Sequence, residues 1–256
     1  MKKNLFPAHI ATSTLITLFT LFINIFFANT CLGTNFFENT SWSITGTIQI
    51  NNYDWHPNGK HLAVAWHNNA DNLRVYSFDG SNLTSIVTKR LGAMCAAVSW
   101  SPNGTYLATG TDGTTNFAVW TFNGTTLTSA ATPVTITSYL HSIDWHPSGN
   151  YIAVGYYTGS AGRFQVYRFT GSSLTPLGAA IQPTGNSELW VVKWSPDGNF
   201  LAVGNRQEST TKNLEVYNFN PSASTPLTVT AANQKNYGPS YLFSVAWRPD
   251  GKYLAI

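Results

Sequence analysis

The sequence predicts an all-β fold, a β-propeller of four-stranded antiparallel blades with about four complete repeats and a partial fifth. Three observations predict it. One motif returns five times at a near-constant interval. A strand, a turn and a second strand follow each of the first four copies. The composition suits short strands and tight turns, because only 10% of residues are charged while Ser, Thr, Asn and Gly abound. With 256 residues, 43% of them hydrophobic, the chain can bury the core of one large all-β domain.

The N-terminus differs from everything after it. Lys2 and Lys3 precede the apolar stretch Leu15 to Ala28 (LITLFTLFINIFFA), and small and polar residues run from Asn29 to Thr34. That layout is an export signal, so residues 1–33 read as a signal peptide and residues 34–256 as the propeller. The alternative is a membrane anchor over residues 10–28, since Ile10 to Thr14 extend the apolar stretch towards the roughly 20 residues a spanning helix needs. The protein is therefore expected outside the cytoplasm, secreted or periplasmic, meeting a membrane only through an uncleaved N-terminal segment. Cys31 lies at the cleavage boundary and Cys95 in the body, which implies no disulfide framework. Ser41 to Ile50 (SWSITGTIQI) then alternates like a blade's fourth strand with no repeat ahead of it.

The repeats follow. They read YDWHPNGKHLAVA (Tyr53 to Ala65), VSWSPNGTYLATG (Val98 to Gly110), IDWHPSGNYIAVG (Ile143 to Gly155), VKWSPDGNFLAVG (Val192 to Gly204) and VAWRPDGKYLAI (Val245 to Ile256). Trp55, Trp100, Trp145, Trp194 and Trp247 are 45, 45, 49 and 53 residues apart, near the period of a four-stranded blade. The first strand carries the tryptophan, and the Pro-x-Gly turn leads into a second, Leu-Ala-Val strand. A variable loop and a hairpin complete the blade, the hairpin beginning at Leu73, Phe117, Phe164 and Leu214. Ala63, Ala108, Ala153 and Ala202 keep the second strand slim where sheets press together. Each tryptophan is expected to fill the gap between blades, a burial worth roughly 1.5 to 3 kcal/mol. The fifth copy stops at Ile256 inside its second strand, so the sequence reads as a C-terminally truncated, incomplete ring.

In spacing, and in the Ser-Pro-Asp-Gly turn at Ser195 to Gly198, these units resemble WD repeats over about Trp42 to Ile256. The closing units are also similar to the WD-repeat-like propeller of the anaphase-promoting complex's fourth subunit, through Trp-Arg-Pro-Asp-Gly at Trp247 to Gly251. The third strand ends in Val-Tyr-x-Phe or Val-Trp-x-Phe where that family has Trp-Asp, and the Gly-His pair is missing. His141 ahead of Ser142 and Ile143 is a partial echo of the family's buried network. The resemblance implies that loops between second and third strands share a face with the connections between blades. That face collects Trp66, His67, Tyr139, Tyr156, Tyr157, Arg163, Trp190, Arg206, Tyr237 and Tyr241. Aromatics and arginine are what binding hot spots use, and variable loops on a rigid scaffold favour binding.

Other chemistries find little support. A formal charge of +3 without a basic stripe argues against nucleic acid. His56 and His146 read as turn residues, because Ser101, Ser195 and Arg248 stand in their places. Asp54, Ser99, Asp144, Lys193 and Ala246 share one register of the first strand, opposite the tryptophan, and are expected to line the channel or pair between blades, Asp144 with Lys193 most sharply. No nucleophile motif or metal-ligand cluster stands out, and Gly155 to Gly162 (GYYTGSAG) reads as a loop between strands. Asn39, Asn82, Asn103 and Asn123 begin sequons that matter only in a glycosylating secretory pathway. The expectation is a non-enzymatic scaffold for a protein or peptide, without cofactor or metal. The alternative is a propeller enzyme of hydrolase or lactonase type, with Asp54, Asp144 and His141 around a channel metal.

Overall fold

One turn organises every repeat. The N–H of the turn glycine donates to the carbonyl of the residue after the tryptophan at 2.8 to 2.9 Å, in the pairs His56–Gly59, Ser101–Gly104, His146–Gly149, Ser195–Gly198 and Arg248–Gly251. Gly104 and Gly198 have φ of +73° and +75°, the left-handed region that a residue with a Cβ enters at a cost. The computed structural model describes residues 50–256 except 68–70, 114–115, 185–187, 207–211 and 239–240. The leader, the Asn39 sequon and Ser41 to Gln49 lie outside the described residues. Ile50 opens the first strand of a blade instead of ending a fourth one.

Four antiparallel four-stranded sheets follow in chain order. Blade 1 holds β1 (Ile50–Trp55), β2 (His61–Trp66), β3 (Leu73–Phe78) and β4 (Leu83–Lys89). Blade 2 holds β5 (Cys95–Trp100), β6 (Tyr106–Thr111), β7 (Phe117–Phe122) and β8 (Leu127–Ser129). Blade 3 holds β9 (Tyr139–Trp145), β10 (Tyr151–Tyr157), β11 (Gly162–Phe169) and β12 (Leu174–Pro176). Blade 4 holds β13 (Leu189–Trp194), β14 (Phe200–Asn205), β15 (Leu214–Phe219) and β16 (Leu227–Thr228). A 3-10 turn at Ala231–Asn233 leads to β17 (Gln234–Lys235), which also pairs with β15. The fifth repeat forms the pair β18 (Ala246–Trp247) and β19 (Leu254–Ala255). Among the described residues no helix is long and apolar enough to cross a membrane. Gly155 and Gly162 both lie within strands, so only Thr158 to Ala161 form the loop expected over the whole stretch.

The register repeats as faithfully as the sequence. Trp55, Trp100, Trp145, Trp194 and Trp247 pair with Leu62, Leu107, Ile152, Leu201 and Leu254. First strands of successive blades lie side by side, β1 by β5, β5 by β9, β9 by β13 and β13 by β18, which sets the sheets face to face about a common axis. Apolar cores fill the seams. Between blades 1 and 2, Ala63, Leu73 and Val75 meet Val98, Trp100 and Leu107; between blades 3 and 4, Ala153, Phe164 and Val166 meet Val192, Trp194 and Leu201. Trp100, Trp145 and Trp194 are buried and wedge these seams, while Trp55 and Trp247 are part-buried.

Close approach dictates small residues in the second strands. A Cβ at Gly110 or Gly155 would overlap Leu140 or Leu189, the leucine five residues before the next repeat's tryptophan. In blade 1 the glycine is replaced by Ala65, and the facing leucine by the smaller Cys95. The two sides of the seam thus exchange volume, as a close-packed interior requires.

Candidate functional site

Two places concentrate polar or exposed aromatic side chains: the wall of the channel and the rim above it. At the wall, each first strand is an edge strand, and its N–H groups on the open side need acceptors. Blades 1 and 3 supply them. Asp54 Oδ2 accepts the Trp100 N–H at 2.7 Å and Asn52 Oδ1 accepts that of Val98 at 3.3 Å. Two blades on, Asp144 Oδ2 accepts the Trp194 N–H at 2.7 Å and Ser142 Oγ that of Val192 at 3.1 Å. Indoles return the contact, since Trp100 Nε1 donates to the Asp54 carbonyl at 3.2 Å, Trp145 Nε1 to Ser99 at 3.0 Å and Trp247 Nε1 to Lys193 at 3.1 Å.

Lys193 Nζ lies 2.5 Å from Asp144 Oδ1, the pairing expected from the shared register. The Asp144 side chain is buried and that of Lys193 half exposed. Burial pushes the Asp54 carboxyl up to about 6 despite the Lys193 charge and the Trp100 N–H, which pull it down. Burial likewise raises Asp144 against the pull of Lys193, and the Asp144 charge holds Lys193 above the usual lysine range. Both carboxylates are therefore committed to neighbouring blades, and among the described residues no three His, Cys, Asp or Glu side chains are placed to hold a metal ion. His141, the third candidate for a channel metal, instead turns its ring to Trp190 at 4.7 Å.

His56 and His146 sit in the turns but also clamp the next blade. In each, Nδ1 accepts a backbone N–H two residues on at 3.1 Å, which leaves Nε2–H to donate to Gly104 or Gly198 at 3.0 Å. Their rings press on those glycines where a Cβ would overlap.

On the rim the expected residues separate into four groups. Trp66 and Tyr156 are 1% and 7% exposed, so they brace the blades and do not face solvent. Their strands β2 and β10 are covered on both faces, which erases the alternation that would mark an outward residue. Tyr139 and Tyr157 are cross-strand partners at the end of blade 3, Arg163 pairs with Tyr156, and Tyr139 borders a depression with Asp112, Gly113, Thr137 and Ser138. His67 and Tyr237 are exposed. Trp190, Arg206 and Tyr241 come together: Trp190 and Tyr241 ring centres are 6.2 Å apart, and the Arg206 guanidinium lies over Tyr241 at 4.9 Å and 3.9 Å from Glu188.

A family profile for eukaryotic translation initiation factor eIF2A matches residues 32–135, the stretch carrying the first two tryptophan repeats. No curated protein matches the chain. Among solved structures, a protein of Bacteroides uniformis assigned as a 6-phosphogluconolactonase is 17% identical with a TM-score of 0.62, over 76% of this chain and 57% of that one. A β-propeller domain from Myceliophteria thermophila is 12% identical with a TM-score of 0.60, over 84% of this chain and 63% of that one. Kuenenia stuttgartiensis hydrazine synthase is 17% identical with a TM-score of 0.63, over 80% of this chain and 60% of that one. The fold is a β-propeller. The chain spans about three-fifths of the length of these structures.

Two features of this propeller escaped the sequence reading. Asn72, Asn116 and Asn213 stand just before the third strand of blades 1, 2 and 4 and clip the connection that follows each blade. Asn116 Oδ1 accepts the Ile136 N–H at 2.9 Å while its Nδ2 donates to the Ser138 carbonyl at 2.6 Å. Asn72 does the same with Leu91 and Ala93, and Asn213 with Tyr237 and Gly238. The signal was there as Asn-Leu or Asn-Phe opening each hairpin; blade 3 has Arg163 instead. The connection after blade 3 is held from blade 4, by buried Glu215, whose Oε1 accepts the Thr184 N–H at 3.0 Å and Gln234 Nε2 at 2.9 Å. The second omission is Phe243, 64% exposed and 5.3 Å from Trp190.

Proposed function

We propose that this propeller is a non-enzymatic scaffold outside the cytoplasm that holds a protein or peptide on its loop-bearing rim. The observation that carries the reading is the cluster in which Trp190 meets Tyr241 and Phe243 and the Arg206 guanidinium lies over Tyr241. Large aromatic rings beside an arginine have the composition of interface hot spots. Lys2, Lys3 and the apolar stretch after them support export. The test immobilises the protein and screens a displayed random-peptide library. Enriched peptides should lose binding to Trp190→Ala and Tyr241→Ala, while Tm stays near that of the parent. Undiminished binding by both variants would remove the site.

The rival is an enzyme at the channel, favoured by Asp54, Asp144 and Lys193 converging there and by the structural likeness to a protein assigned as a lactonase. Against it, both aspartates already accept backbone N–H groups. Lactone hydrolysis with an added divalent ion, lost in Asp54→Ala and Asp144→Ala, would replace the scaffold reading by this one.

A further inference from the structure

The four complete first strands share a β-bulge. Pairing with the second strand skips Asn51, Ala96, His141 and Trp190, each four residues before its repeat's tryptophan, and the fifth repeat has Phe243 in that place. A bulge re-aims the extra side chain, and these five positions ring the channel mouth. The ring is lopsided. Asn51 spends its Nδ2 on the Cys95 carbonyl at 2.9 Å and Ala96 offers only a methyl group. Beyond them three rings touch in succession, His141 to Trp190 at 4.7 Å and Trp190 to Phe243 at 5.3 Å. Tyr241 stacks on Phe243, 5.1 Å away with 2° between the planes, and Trp190 meets the two at 68° and 70°. The result is a right-angled aromatic corner.

We propose that the corner between Trp190 and Phe243 receives a cationic side chain, lysine or arginine, from the polypeptide bound on the rim. This rests on the scaffold reading and adds the chemistry of what is recognised. Ring faces attract cations through their quadrupole. The pattern is already present once, where the Arg206 guanidinium covers Tyr241 at 4.9 Å. The surrounding charge has the matching sign. Asp54 and Asp144 set two carboxylates against the one ammonium of Lys193 three residues deeper along the same strands, roughly 10 Å at the rise of a strand, while at the lip the Glu188 carboxylate is paired with Arg206. Burial lowers the pKa of His141, so its ring adds no opposing charge near neutral pH.

The test uses the whole 256-residue chain with 15N-labelled tryptophan. The Trp190 indole N–H resonance, assigned by its loss in Trp190→Phe, is followed while four peptides are added, acetyl-Gly-Gly-X-Gly-Gly-amide with X as arginine, lysine, citrulline or norleucine. Arginine and lysine should shift it and bind roughly 2- to 30-fold more tightly than their uncharged counterparts. High salt should narrow that gap. Phe243→Ala should abolish it, with urea unfolding of the variant measured alongside to show that the chain remains folded. Equal shifts by citrulline or norleucine would overturn the cationic assignment and leave the scaffold standing. No shift by any of the four would overturn it as well, and the library screen would then judge the scaffold on its own.

Discussion

Trp100 and Trp194 occupy equivalent places in their blades, yet only one of their indoles has a hydrogen-bond partner. Trp100 Nε1 donates to Asp54, whereas Trp194 Nε1 is buried without one among the described residues. Phenylalanine at either position loses similar ring area, but only at Trp100 does it also break a bond and leave a carbonyl short. Trp100→Phe should therefore destabilise the protein by about 0.5 to 1.5 kcal/mol more than Trp194→Phe in urea unfolding. Equal losses would mean that the indole bond contributes nothing. Asp54 makes a second expectation at this scale. Its folded-state value of about 6 lies above the ordinary 3.8, so the folded chain binds that proton more tightly than the unfolded chain does. Stability from this group is greatest below pH 4, declines as pH rises to 6, and is lost above that. Asp54→Asn cannot titrate and still offers Trp100 an amide oxygen. It should raise the urea midpoint over the parent at pH 7, with the advantage shrinking to nothing near pH 4; an advantage that grew on acidification would refute the assignment.

At the scale of the strand, the exchange of volume across the seams is directly testable. Gly155→Ala drives a methyl group into Leu189 and should cost about 1 to 3 kcal/mol, as overpacking does. Adding Leu189→Cys recreates the Ala65 and Cys95 pairing of blade 1 and should recover much of the loss. Failure of the double variant to exceed the single one would show that the seams are not interchangeable. Interchangeability is also why the strands were legible. Five copies of an indole, a proline and a left-handed glycine fix the first strand, the turn and the second strand whatever surrounds them. The rim was less legible. Trp66 and Tyr156 end strands buried on both faces, and only the neighbouring sheet decides whether such a residue meets solvent. The clip asparagines were invisible to a search for apolar spacing, because a buried amide that imitates backbone has no periodicity of its own. Phe243 matches the bulged Trp190 of the preceding repeat in position, and a bulge is set by pairing register and not by residue type.

At the scale of the whole propeller, the seams alternate. Those from blade 1 to 2 and from blade 3 to 4 carry an aspartate, a second polar acceptor and a histidine clamp in addition to their apolar cores. The seam from blade 2 to 3 has Ser99 in the aspartate's place and joins through its apolar core, the Trp145 indole bond and the stacking of Tyr106 on Trp145. Amide exchange should reflect this, with the Trp100 and Trp194 N–H groups outlasting that of Trp145. Temperature gives the difference a further consequence. Apolar attraction fades on cooling, while carboxylate and imidazole contacts lack that dependence. Chilled in mild denaturant, the molecule should come apart along its hydrocarbon joint first, leaving two paired-blade halves that each stay closed.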